Sequence, residues 1–320
     1  EAIKLAPLIK EFQKNKDYFD VHVVSTGQHK EMLDQVIDFF DIAVDCELQL
    51  MSKNQSLNEL SSKILNSLKG VLDNEKPDYV FVHGDTTTTA FASIASFYNQ
   101  IKVCHIEAGL RTFDKYSPFP EEINRSIAGK IADLHFAPTE QAAQNLINEN
   151  VDKKSIIITG NTVIDALIDG IKITKNYNNN EIEVLKKIIS NDRKIILVTG
   201  HRRENFGSGF KNICNAILEI SEDPNIDIIY PVHLNPNVKN TVYDLLSGEK
   251  NIHLLNPLNY PAFIWLMSKS HIILTDSGGV QEEAPSLGIP VLVMRNNTER
   301  PEGVKSKTAI LVGTKKDKII

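Results

Sequence analysis

The chain has 320 residues, 42% of them hydrophobic and 24% charged, with a formal net charge of −6; that is enough for two ordinary cores and the wrong sign for general nucleic-acid binding, which needs basic stripes. Its three cysteines, Cys46, Cys104 and Cys214, are odd in number and widely spaced, with no CxxC pair, which argues against a disulfide framework or a zinc site and for a reducing, cytoplasmic setting. No apolar run approaches the roughly 20 residues of a membrane helix, and the N-terminal segment lacks the continuous apolar stretch of a signal peptide.

In chain order, Ile3, Leu5, Leu8, Ile9 and Phe12 fall on one side of an amphipathic helix. Short apolar runs then alternate with helix-length amphipathic stretches, the pattern of parallel α/β sheets. The strands expected in the first half are 21–26, 79–83, 102–106, 134–137 and 156–159. Those expected in the second are 194–199, 227–232, 252–255, 272–275, 291–294 and 309–312. Many are rich in Val and Ile without polar alternation, as strands covered on both faces should be. The division expected is an α/β domain over 1–165, a linker region over 166–192 that holds the polar stretch Asn176-Tyr-Asn-Asn-Asn-Glu181, and a second α/β domain over 193–320.

Unusual polar residues cluster after the expected strand ends: His83-Gly-Asp85, His105-Ile-Glu107, Gly200-His-Arg-Arg203, His233 and Asp276-Ser-Gly-Gly279. In open α/β sheets this rim is where ligands bind. Five such segments, drawn from both halves, lead us to expect a cleft between two facing rims.

Each constellation has a functional reading and a plainer one. Thr275-Asp-Ser-Gly-Gly279 runs from a strand into a helix, and adjacent glycines with free N–H groups suit a phosphate. Glu283 would then accept from a ribose diol. The plainer reading is a tight strand–helix turn. Gly200-His-Arg-Arg-Glu-Asn-Phe-Gly207 offers cations for an anionic ligand and a proton carrier in His201, or else a solvated turn whose arginines pair with Glu204. Asp85, Glu107, Asp114, Glu121 and Glu122 form an acidic set. Asp85 could simply cap a helix and Glu121 and Glu122 could simply favour a helix start. Glu107 has no capping role, and an acid at a buried strand end calls for a reason such as catalysis. Gln28 and His233 suit a loop backbone as well as a ligand, Phe263 could face a base, and Trp265 reads as core. No GxGxxG, HxxxH or HExxH spacing occurs, so neither a nicotinamide dinucleotide nor a metal is called for.

Taken together, Glu1-Ala-Ile-Lys-Leu-Ala-Pro7, His83-Gly-Asp-Thr-Thr-Thr-Thr89, His105-Ile-Glu-Ala-Gly-Leu-Arg-Thr112, Pro120-Glu-Glu122, Gly160-Asn-Thr-Val-Ile-Asp165, Gly200-His-Arg-Arg-Glu204, Pro231-Val-His-Leu-Asn-Pro-Asn-Val238, Thr275-Asp-Ser-Gly-Gly-Val-Gln-Glu-Glu-Ala-Pro285 and Arg300-Pro-Glu302 closely resemble the non-hydrolysing bacterial UDP-N-acetylglucosamine 2-epimerases. The resemblance runs in order from Glu1 to about Gly313. It implies GT-B architecture, two Rossmann-like domains with the active site in the cleft between them, the second domain binding UDP. It implies interconversion of UDP-GlcNAc and UDP-ManNAc through loss of UDP to 2-acetamidoglucal and re-addition, serving bacterial cell-surface polysaccharide.

The same resemblance implies no metal or NAD, a cytoplasmic homodimer, and no nucleic-acid or membrane partner. It makes Asp85, Glu107, Glu121 and His201 the catalytic candidates, with Lys4 beside them. Ser277, Gly278 and Gly279 would hold the phosphates and Glu283 the ribose. Gln28, Gln55, Glu121, Arg202 and His233 would hold a second, activating UDP-GlcNAc, although Asn54 stands where some activator-regulated members have arginine. It also leads us to expect a further strand with a Gly-Thr-Arg-Pro loop ahead of Glu1 and a helix beyond Ile320. Rival readings are a hydrolysing 2-epimerase, a GT-B glycosyltransferase and a non-catalytic UDP-sugar-binding protein.

Overall fold

A computed structural model gives the structure; it describes every residue except Gln28, His29, Lys53, Ser190, Asn191 and Glu299, and the side chains of all but those and Lys30, Pro301 and Glu302. The chain folds as two compact units, Glu1–Ala166 and Leu167–Ile320.

In the first unit the apolar spacing near the N-terminus becomes the helix Ala2–Lys14. A two-residue parallel pair follows, β1 (Val24–Ser25) and β2 (Cys46–Glu47). The main sheet consists of β3 (Tyr79–His83), β4 (Lys102–Ile106), β5 (Leu134–Ala137) and β6 (Ile156–Ile158), all parallel and in sequence order. The helix Leu57–Glu75 starts on a capping box formed by Ser56 and Glu59, which satisfies otherwise orphaned N–H groups. It buries Leu60, Ile64, Leu68 and Leu72, one per turn, in a cluster with Val82 and Val103 of the sheet. Thr86 and Thr139 cap the helices after β3 and β5, each worth about 1 kcal/mol over alanine. The register pairs His83 with Ile106, so the segments leaving β3 and β4 start level with each other. That alignment puts His83, Asp85 and Glu107 on one edge.

The second unit carries β7 (Lys194–Thr199), β8 (Ile226–Pro231), β9 (Ile252–Leu255), β10 (Ile272–Thr275), β11 (Val291–Val293) and β12 (Ala309–Leu311). They form one parallel sheet in the order β12-β11-β10-β7-β8-β9. This is the doubly wound order of dinucleotide-binding folds, in which β7 and β10 flank the point where the strand order reverses. Crevices open there because successive connections leave in opposite directions. Around the sheet, Val198, Phe210, Ile213, Ile217, Ile228, Tyr230 and Leu274 make a fully enclosed core. Residues 166–192 are mostly helical, with Val163–Thr174 running across the division between the units and Asn180–Ile188 capped by Asn179. Ile182 and Leu185 of the latter helix are buried. Among the described residues no helix is long and apolar enough to cross a membrane.

Candidate active site

Glu107 follows β4 directly and takes a left-handed backbone, φ 60°, a conformation disfavoured for a residue with a long side chain. Two residues on, Gly109 has φ 87°, and a Cβ there would meet the carbonyl oxygen of Ala142 at 2.2 Å, so only glycine lets the chain pass this close to the helix Glu140–Asn148. The Glu107 side chain is 10% exposed. Its Oε1 accepts from the Lys4 ammonium and from Asn161 Nδ2 at 3.0 Å. Asn161 is itself fixed, its Oδ1 accepting from Val163 N at 3.1 Å. Glu107 Oε2 lies 3.8 Å from His83 Nε2. His83 is 4% exposed, and among the described residues neither of its ring nitrogens has a hydrogen-bond partner. Burial pushes its pKa down to about 3, with Glu107 opposing, so the ring is neutral and the 3.8 Å contact is no ion pair. Below it, His105 donates from Nε2 to Gly84 O at 2.7 Å.

Asp85 does not cap a helix, because Thr86 has that role. Instead it accepts from Arg125 Nη2 at 2.5 Å. Burial pushes the Asp85 carboxyl above its ordinary pKa; Arg125 opposes this, and the neighbouring charges of Glu107 and Glu121 add to it. Three acids thus sense one another on this edge. The same guanidinium places Nη1 3.3 Å from Glu122 Oε2. Glu122, 4% exposed, also accepts from the backbone N–H groups of Thr112 and Phe113 at 3.0 and 2.9 Å. It therefore ties the loop after Glu107 to the helix Glu121–Ile131, whose first residue is Glu121.

On the second unit three adjacent strand ends converge. Asp276, after β10, is fully buried. It accepts from the backbone N–H of His201 at 3.0 Å, from Arg202 N at 2.9 Å and from Asn205 Nδ2 at 3.2 Å. Burial alone raises its pKa, but the His201 side chain and the backbone N–H groups of Arg202 and His201 outweigh that and hold the carboxyl below its ordinary value. The loop after β7 is thereby wrapped around a buried anion. Gly200 permits it: a Cβ there would stand 3.1 Å from Tyr230 Oη and 3.3 Å from the Phe210 ring. His233, after β8, stacks on His201 with ring centroids 5.8 Å apart and planes 27° apart. Glu204 is taken by Arg295, at 2.7 Å, and not by the arginines of its own loop. Ser277 precedes the helix Gly278–Glu283 and makes no side-chain cap. A Cβ on Gly279 would lie 3.4 Å from Glu283 Oε1, so the Glu283 carboxylate overhangs the glycine turn.

Of the residues singled out from sequence, Lys4, Asp85, Glu107 and Glu121 gather on the edge of the first unit, and His201, Arg202, His233, Ser277, Gly278, Gly279 and Glu283 on the strand ends of the second. Gln28 lies outside the described residues. Gln55 is engaged locally, its Oε1 accepting from Ser52 N, Ser52 Oγ and Lys63 Nζ. Trp265, read as core, is only half-buried, with Lys269 over its ring. Arg125, Glu122, Asn161 and Asp276, which hold the acids and His201 in place, were not picked out from the sequence for that role, nor was His83 as a neutral ring beside Glu107. One signal was available for Arg125: it lies four residues after Glu121, on the same helix face.

Two Rossmann-like units, one with an acid-lined strand edge and the other with a glycine turn at its topological switch point, define an enzyme of the GT-B class. A family model described as UDP-N-acetylglucosamine 2-epimerase matches residues 10–320. The UDP-N-acetylglucosamine 2-epimerase of Campylobacter jejuni is 53% identical over 326 residues, covering all of this chain and 85% of its own. That of Escherichia coli K12 is 52% identical over 324 residues, covering all of this chain and 86% of its own. Among solved structures, the Neisseria meningitidis UDP-GlcNAc 2-epimerase bound to UDP-GlcNAc superimposes with a TM-score of 0.84 at 50% identity, over all of this chain and 86% of that one. A Listeria monocytogenes structure gives 0.91 at 46% identity, over all of this chain and 82% of that one. The chain belongs to the UDP-N-acetylglucosamine 2-epimerase family, a family of isomerases.

Proposed function

We propose that this protein reversibly inverts carbon 2 of UDP-N-acetylglucosamine, giving UDP-N-acetylmannosamine, without releasing free sugar. Family membership supports the substrate, and the observation that carries the chemistry is Glu107. It is held in a strained backbone conformation with Oε1 fixed by Lys4 and Asn161, beside two further acids.

The proton on carbon 2 has no adjacent carbonyl, so direct abstraction is slow. Breaking the C1–O bond first sends the electron pair out with UDP and leaves an oxocarbenium-like centre at carbon 1. Carboxylates stabilise such a centre, as in glycoside hydrolysis. The neighbouring C–H is then acidic, and one of Asp85, Glu107 and Glu121 takes its proton, giving 2-acetamidoglucal. In the return step the UDP oxygen adds to carbon 1 and a proton reaches carbon 2 from the opposite face. No electrons are gained or lost overall. Ser277 and the Gly278-Gly279 backbone hold the departing diphosphate, Glu283 the ribose, and His201 meets the nucleotide from the next strand end. The product supplies N-acetylmannosamine units for surface polysaccharide.

Proton and phosphorus NMR of the protein with UDP-GlcNAc tests the reading. UDP-ManNAc should accumulate to equilibrium with UDP-GlcNAc. Accumulation of free ManNAc and UDP indicates a hydrolysing enzyme instead, a glycoside product indicates a transferase, and binding without turnover indicates a sugar-nucleotide sensor.

A further inference from the structure

His201 has two ring nitrogens, and the structure commits one of them. Nδ1 lies 3.2 Å from Asp276 Oδ1, while the side chain as a whole is 41% exposed. A carboxylate is an acceptor only, so the contact favours the proton on the nitrogen that faces it. Asp276 cannot swing away to relieve the contact. It is fully enclosed, and its oxygens are held by His201 N, Arg202 N and Asn205 Nδ2. Asn205 is braced in turn by Met294 O at 3.2 Å. The stacked ring of His233 restrains the plane of His201 from one face, and His233 is itself fixed, its Nδ1 accepting from Asn235 N at 3.1 Å.

We propose that Asp276 is a positioning residue for His201, accepting the Nδ1 proton so that the neutral ring is held as the Nδ1–H tautomer and Nε2 is the atom that meets the ligand. A buried acid fixing the tautomer and orientation of a working histidine is a recurring arrangement in catalytic and metal sites. The place is suited to it, since β7 and β10 supply the two residues from either side of the switch point. The catalytic consequence rests on the proposed function, in which His201 touches the sugar nucleotide; the Asp276–His201 link itself does not.

The test uses protein labelled with 15N in its histidine rings. Two-bond proton–nitrogen correlation spectra report the tautomer of each ring, with His201 assigned by its disappearance in His201→Asn. Wild-type His201 should be the Nδ1–H tautomer. In Asp276→Asn the amide oxygen keeps the backbone donors while its NH2 faces the ring, so His201 should switch to Nε2–H. For epimerisation kcat should fall by roughly 10²-fold or more with KM changed less than about threefold. Asn205→Ala removes a structural donor from the same carboxylate; it should keep the tautomer and lose at least about tenfold less kcat than Asp276→Asn.

An Nε2–H ring in the wild type overturns the proposal, and that spectrum decides the matter even if Asp276→Asn does not fold. An unchanged tautomer in Asp276→Asn, or an equal kcat loss in Asn205→Ala, overturns it as well. Full kcat in His201→Ala would instead remove His201 from the chemistry, and would leave the spectra to judge the link to Asp276.

Discussion

Lys4 and Glu107 stand 103 residues apart in sequence and form a direct ion pair, the ammonium sharing Oε1 of the carboxylate with Asn161. These two partners hold Oε1 of Glu107, and Oε2 lies beside Gly84 and His83. The pair orients the carboxylate in a pocket where it is only 10% exposed. Lys4→Met should lower kcat by about 10²-fold, the low end of what a positioned acid or base contributes, and Glu107→Gln by at least as much. Steady-state kinetics with circular dichroism as a folding control checks this. A Lys4→Met enzyme within threefold of wild-type kcat would make the pair merely structural.

Arg125 is the residue whose loss should show in the pH profile. Burial already raises the Asp85 carboxyl, and Arg125 is the opposing influence. Removing the guanidinium in Arg125→Met lets that carboxyl rise further, so a higher pH is needed to ionise it. The acid limb of kcat should move to higher pH, and kcat at neutral pH should fall by at least about tenfold. An unmoved acid limb would mean that Asp85 is not ionised in the productive state.

Acid sensitivity should come in part from two histidines buried in the first unit. Burial lowers His83 to about 3 and His105 to about 4. Both folded values lie below the unfolded one, so between them the unfolded chain binds more protons than the folded one. Stability is thus lost as pH falls below the unfolded value, at about 1.4 kcal/mol per pH unit for each ring. His105→Gln keeps a donor for Gly84 O and removes the titration. Urea unfolding from about pH 7 to about pH 5.5 should show the wild type losing roughly 1 kcal/mol more than this variant. Equal losses would mean that His105 is not buried as a neutral ring.

The long apolar strands were legible in sequence because their signal is local. Tyr79–His83, Lys102–Ile106, Leu134–Ala137, Lys194–Thr199, Ile252–Leu255 and Ile272–Thr275 fall where the short apolar runs put them. The run at 21–26 shrinks to Val24–Ser25, and its partner Cys46–Glu47 went unseen; two residues are too few to show a period. The chemistry-bearing side chains were legible as strand-end acids and glycines. Their supports were not. Arg125 meets Asp85 across 40 residues, Asn161 meets Glu107 across 54, and Asp276 meets His201 across 75. Each pairing depends on sheet order and helix register, which no local pattern encodes. Glu122 shows the same limit from nearer by: next to Glu121 it reads as a helix-start acid, yet it points into the loop at Thr112 and Phe113.

Inversion by proton removal and return exchanges the hydrogen at carbon 2. Epimerisation of UDP-GlcNAc in deuterium oxide, stopped early and read by proton NMR and mass spectrometry, tests this directly. A proton taken by Asp85, Glu107 or Glu121 and replaced from the other face predicts UDP-ManNAc carrying one deuterium at carbon 2. UDP-ManNAc that retains its original hydrogen there would contradict the account.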